Sequence, residues 1–247
     1  MLTRLLSNGD FNQEKVSKTI MMDPILCAKL LAFNNSPDLY IGTPQQVISK
    51  LIKRKNRYLL LDELFGNKGE EDLLIDCPNF DLGHYWSEAV SVGASTQYLH
   101  NTIDRNNSNS LAYFAGIFHN IGLIALVYLY PSEMNKILAT SDSMKQQLDL
   151  EKTRLGIDHT TLGANMLNQW KICEIITSAV KYCEYPLDDM MHSGIPQMVI
   201  QAIEWRRSKA KRLTSLGKKL NKVEYQQLLQ EEQRINNFAS IFAYETF

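Results

Sequence analysis

The sequence predicts an all-α protein, because apolar residues recur at helical spacing over most of its 247 residues while period-two alternation is nearly absent. Two further observations agree. Asp-Pro and Thr-Pro pairs stand where helices should begin, and an apolar run near the middle of the chain is long enough for a buried central helix. With 45% apolar side chains, the chain can bury one substantial core or two modest ones.

Asp23-Pro24 and Thr43-Pro44 each set a capping side chain before a proline at the first helical position, where the missing N–H does no harm. Each therefore opens a short helix. Between them AFNNSPDLYIGTP, from Ala32, gathers Asn, Ser, Pro and Gly and reads as a loop. A second break, from Gly66 to Gly83, mixes turn residues with acids. It divides an N-terminal helical lobe, residues 1–80, from a helical core with C-terminal helices, residues 81–247.

Ser110 is placed to cap a helix running to Tyr130 and stopped by Pro131, apolar on every face and so the expected centre of the fold. Asp158 is placed to cap another, in which His159, Leu162, Gly163, Met166, Leu167 and Trp170 form one inward stripe. The following helix repeats that spacing with Ile172, Ile175, Ile176, Ala179, Val180 and Cys183. Tyr225, Leu228, Leu229, Phe238, Ile241 and Phe242 give the carboxyl end a helix-like pattern. It is expected to fold back on the domain, and any exposed part would suit a partner's groove or a dimer face.

A formal net charge of -1 gives no overall pull toward nucleic acid or an anionic membrane. Cys27, Cys77, Cys173 and Cys183 are too few and scattered for a disulfide framework and read as reduced cytoplasmic thiols. The amino terminus lacks the apolar run of a signal peptide. The apolar stretch 111–130 is interrupted by His119 and Asn120, so a core helix is expected there and no membrane span.

Charge is nonetheless uneven. Residues 62–88 hold eight acids and one lysine, whereas residues 200–222 hold eight Lys or Arg and one Glu. The run WRRSKAKRLTSLGKK, from Trp205, makes Arg206, Arg207, Lys211 and Arg212 a candidate docking surface for an acidic partner or a second copy of the chain. Lys50, Lys53, Arg54, Lys55 and Arg57 form a second basic group. Nucleic acid is the disfavoured partner, because a solvated helix face explains such runs in a chain that is neutral overall. The G-x-S-x-G elbow, the Walker A loop, the G-x-G-x-x-G turn and the C-x-x-C pair are all missing.

Several pieces of sequence in order then resemble one family. MMDPILCAKLLAFNNS, from Met21, is similar to the Asp-Pro, aliphatic stripe and Asn-Ser pattern of the HDOD domain, a helical relative of the HD and HD-GYP metal-dependent phosphohydrolases. YWSEAVSVGAS, YFAGIFHNIG and GIDHTTLGANMLNQWKI look like that domain's three characteristic helices. The resemblance runs from about residue 10 to residue 186. It implies an HD-like helical bundle with an N-terminal lobe, in a bacterial cytoplasmic protein of signalling or regulation. No cyclic-dinucleotide domain is visible beside it, so a stand-alone protein working through another molecule is expected.

The resemblance also implies where a catalytic site would lie. Catalysis of the HD kind needs histidines and carboxylates converging on one or two cations that generate hydroxide and clamp phosphate. The first histidine ligand of the catalytic relatives falls here at Glu88, and the central His-Asp pair at His119-Asn120. The next histidine is His159, and the final pair falls at Tyr182-Cys183, followed by Glu184. His84 would point elsewhere on its helix.

Asn120 offers a neutral amide where a bridging carboxylate would offset metal charge. The expectation is a remnant HD site of Glu88, His119, Asn120, His159, Tyr182 and Cys183, with no catalytic residue, metal or cofactor. His119 and Asn120 would then serve packing and polar contacts. The expected partners are an unidentified signalling protein, a second copy, or a small regulatory ligand. A metal-dependent phosphohydrolase with an altered ligand set is the alternative.

Overall fold

Helix-start chemistry and apolar stripes translate into eleven α-helices in a computed structural model that describes residues 12–32, 37–54, 76–103, 109–184, 194–207, 230 and 233–237. Helices α1 (Gln13–Met21), α2 (Pro24–Ala32) and α3 (Pro44–Lys53), with a 3₁₀ turn at Pro37–Tyr40, form the amino-terminal part. The long α4 (Leu82–Ile103) follows, then α5 (Leu111–Ile117), α6 (Ile121–Leu129), α7 (Pro131–Thr140) and α8 (Met144–Leu155). The last three are α9 (His159–Gln169), α10 (Glu174–Tyr182) and α11 (Ile195–Arg207). Among the described residues extended pairing is confined to one bridge, Ile41 with Asn109. The protein is all-α, as expected.

The caps form as their chemistry requires. Asp23 Oδ1 accepts the Ile25 and Leu26 N–H groups at 2.8 and 3.0 Å, and Thr43 and Gln46 close a reciprocal capping box ahead of Pro44. Asp158 accepts the Thr161 N–H at 2.8 Å and starts α9. Ser110 differs: its hydroxyl makes no cap and donates instead to the Tyr40 carbonyl at 3.1 Å, tying α5 to the amino-terminal part.

The expected helix from Ser110 to Tyr130 is in fact two helices, broken at residues 118–120. The reason is local. The Gly116 carbonyl is claimed by the His119 ring, Nδ1 at 2.8 Å, and by the His119 backbone N–H at 3.3 Å. It is therefore not left to the N–H of Asn120, which an uninterrupted α-helix would give it. Ile121 N–H bonds Phe118 O and Leu123 N–H bonds Asn120 O, the tighter three-residue spacing of a 3₁₀ turn.

α5 is the centre of the fold, contacted by α4, α10 and α11. Its approach to α4 is close enough that a Cβ on Gly116 would lie 2.7 Å from the Gly93 Cα. One hydrophobic cluster runs from Val16 and Ile20 through Val92, Phe114 and Phe118 to Ile176, Val199 and Ile203. A smaller one joins Cys77 to Leu126, Val127, Met134 and Ile137 beneath α6 and α7. Leu111–Leu129 is long and apolar enough to cross a membrane, but 78% of its apolar window is buried inside the protein. Ile175 departs from its predicted stripe and is exposed, whereas Ile176, Ala179, Val180 and Cys183 are buried.

Lys55, Arg57, Lys211, Arg212, Tyr225, Leu228, Leu229, Phe238, Ile241 and Phe242 lie outside the described residues, as do residues 33–36 and 66–75 of the two predicted breaks.

Candidate functional site

Five elements bring the site together. α4 carries Glu88; the turn between α5 and α6 carries His119 and Asn120; the first turn of α9 carries His159. The end of α10 supplies Cys183 and Glu184, and the last residue of α11 is Arg207. The crossing of α6 and α9 is in backbone contact, since a Cβ on Gly122 would run into the His159 carbonyl oxygen and fall 2.5 Å from the Gly163 nitrogen. Glycine at both positions is what lets His159 come beside the His119-Asn120 turn. The Cys183 thiol donates to the His119 carbonyl at 3.5 Å and to the Val180 carbonyl at 3.1 Å.

The two histidines are fully buried and set alike. His119 donates its Nδ1–H to the Gly116 carbonyl at 2.8 Å, because a carbonyl can only accept. Its Nε2 has no hydrogen-bond partner among the described residues. Burial is the main influence on this ring and holds its pKa below the ordinary 6.5, against the opposing pull of Glu88 and Glu184. A neutral ring with Nδ1 as donor leaves a lone pair on Nε2.

His159 points its Nδ1 at Glu151 Oε2, 2.7 Å away, and its Nε2 likewise has no partner among the described residues. Glu151 is itself fully buried. It accepts the His159 backbone N–H at 2.8 Å on the same oxygen and the Gln147 amide at 2.8 Å on the other. Asp158 next door accepts from Thr160 Oγ1 at 2.7 Å and Thr161 Oγ1 at 3.2 Å, with Lys152 Nζ at 3.3 Å. Burial raises the Asp158 pKa, but these bonds outweigh it and hold the carboxyl at about 2.

On the other side of His119 the chemistry is ionic. Arg207 makes a two-pronged pair with Glu184, Nη1 to Oε2 and Nη2 to Oε1, each 2.6 Å. Its Nε is 4.0 Å from Glu88 Oε1. The Glu184 side chain is only 3% exposed, against 22% for Glu88 and 38% for Arg207. Burial pushes the Cys183 thiol up, so it is a packed thiol and not a ready thiolate ligand.

The structure thus brings Glu88, His119, Cys183 and Glu184 to one place and sets Asn120 and His159 beside it. The Asn120 side-chain oxygen is buried without a partner among the described residues. Tyr182 is half-buried with the Lys181 ammonium 5.3 Å from its ring centre, and His84 is exposed. Of the candidate docking residues, Arg206 donates to Asn236 at 2.6 Å and Arg207 is engaged as above, so both guanidinium groups bond within the chain.

Sequence reasoning missed two members. Glu151 stands eight residues before His159 with no motif between them, and only the left-handed Gly156 that ends α8 turns the chain so that they meet. For Arg207 the sequence suggests a docking surface, and nothing in it points to a partner at this site.

These residues do not assemble a metal cage. Among the described residues no three His, Cys, Asp or Glu side chains are arranged to hold one cation. The central position carries a neutral amide, and an arginine stands between the two carboxylates.

The two buried histidines thus sit on a turn and a neighbouring helix within an all-helical bundle. The HDOD domain family matches residues 1–186, and the chain belongs to that family. Among solved structures it is similar to the MmoQ response regulator of Methylococcus capsulatus str. Bath, with 20% identity, a TM-score of 0.66, and coverage of 95% of this chain and 89% of that one. A candidate signal transduction protein of Marinobacter aquaeolei VT8 gives 17% identity and a TM-score of 0.54, covering 98% of this chain and 58% of that one. Both likenesses are of fold. No curated protein matches the sequence.

Proposed function

We propose that this chain is a non-catalytic HDOD protein of bacterial signalling that works in the cytoplasm by presenting its helical surface to a partner protein. A regulatory role fits the family to which it belongs. The observation that carries the non-catalytic reading is the sealing of the site: His119 and His159 are 0% exposed and Asn120 is 3% exposed. A hydrolytic metal centre needs an open position for water and a phosphoester, and a carboxylate to offset cation charge. An exposed Tyr128-Leu129-Tyr130 run at the end of α6 supports a surface-binding role. A signalling protein, a second copy or a small regulator are the occupants to test, by pull-down from cell extract with mass spectrometry.

One observation favours the alternative, a phosphohydrolase with an altered ligand set. Both imidazoles have Nδ1 anchored, one on a carboxylate, and Nε2 without a partner among the described residues, which is how metal-binding histidines are held. Elemental analysis of protein purified without chelator decides between the readings. Stoichiometric iron, manganese or zinc, lost in His119→Ala and His159→Ala, would overturn the non-catalytic one.

A further inference from the structure

The basic run contributes one residue to the site itself. Arg207 ends α11 with its guanidinium two-pronged on Glu184, nearly buried, and its Nε facing Glu88. These carboxylates flank His119, whose backbone carbonyl accepts the Cys183 thiol. Glu184 is therefore a buried carboxylate whose partner arrives from a different helix.

We propose that the Arg207 guanidinium is the resident cation of this HD-like site, holding with Glu184 and Glu88 the charge position a metal ion would otherwise take. A divalent cation can then bind there only when Arg207 is withdrawn. The inference rests on the non-catalytic reading and adds the reason the site has no need of metal. Three arguments carry it. The pair is bidentate, a geometry arginine offers and lysine does not. A buried carboxylate is strongly unfavourable without a paired charge, so something cationic must face Glu184. Nearby Glu88 adds a second negative charge to the same small region, and among the described residues only the Arg207 side chain is a cation within ion-pair distance of both.

The test is titration of the full chain with Mn²⁺ alone, by calorimetry and by loss of the free-ion EPR signal. The wild type, Arg207→Gln and Arg207→Gln/Glu184→Gln are compared. Arg207→Gln is expected to bind one Mn²⁺ at least tenfold more tightly than the wild type, and adding Glu184→Gln should abolish the gain. Equally weak binding by the wild type and Arg207→Gln overturns this inference and leaves the non-catalytic reading standing. Stoichiometric binding by the wild type that depends on His119 and His159 overturns that reading and this inference together. Should Arg207→Gln alone fold too poorly to titrate, a stability cycle with Glu184→Gln replaces it. A double variant more stable than Arg207→Gln alone supports the pairing, and losses that simply add overturn it.

Discussion

Gly122→Ala is the sharpest probe of how the site is positioned. The added Cβ would run into the His159 carbonyl oxygen and lie 2.5 Å from the Gly163 nitrogen, both backbone atoms that no rotamer change can move. Such carbon contacts settle near 3.3 Å or more, so α6 and α9 would have to part by roughly 1 Å. A gap of that size forfeits a quarter to a half of each packing contact across the interface. The cost should sit at the top of the overpacking range, about 3 kcal/mol. For a chain of this length that corresponds to a fall of roughly 6–12 °C in Tm. Urea unfolding followed by circular dichroism measures it, with Gly83→Ala as the control. There the nearest atom to a new Cβ is a side-chain oxygen at 3.4 Å, and a change from zero to about 1 kcal/mol of stabilisation is expected. A Gly122→Ala loss below about 1 kcal/mol would refute the close crossing and with it the placement of His159.

Other outcomes follow from the same contacts. Glu151→Ala strands the His159 ring and backbone N–H groups and the Gln147 amide in a dry interior and should cost about 3–5 kcal/mol by urea unfolding, whereas a loss under about 1 kcal/mol would mean the network is not formed. Asp158→Ala removes the α9 cap and should cost about 1–2 kcal/mol near neutral pH. The Asp158 carboxyl sits at about 2 in the folded chain against 3.8 ordinarily, so its contribution is present above 3.8 and lost as pH falls through about 2. Asp158→Asn should flatten that acid limb. His119 is held below 6.5, so just under that pH the unfolded chain takes up a proton that the folded chain refuses, and stability falls on acidification. His119→Gln should lessen the difference between unfolding midpoints at about pH 7.5 and about pH 5.5, and an unchanged difference would show that the ring is not held neutral.

Much of the fold was legible because it depends on local chemistry. Asp23, Thr43 and Asp158 cap helices wherever a tertiary structure places them, since the bond they make spans only three residues. The stripe from His159 to Leu167 identified an inward face by spacing alone. The break at His119 was not legible, because its cause is a ring nitrogen taking a carbonyl in place of the backbone. From sequence alone such a residue reads as one more position in an apolar helix. The candidate site was legible in part for the same reason. The resemblance aligned Glu88, His119, Asn120, His159 and Tyr182-Cys183 in sequence order, but it gave no sign that Glu151 and Arg207 would face them.

By itself the sequence determined the helical class, the caps, the buried stripes and the neutral amide at position 120, all properties of residues and their near neighbours. Only the tertiary structure decided that Glu151 anchors His159, that Gly122 and Gly163 bring two backbones into contact, and that Arg207 belongs to the site as well as to a basic surface run. Those pairings join residues on separate helices, and whether two such groups meet is set by how the helices pack and at what angle the chain returns. Neither is encoded in any local spacing.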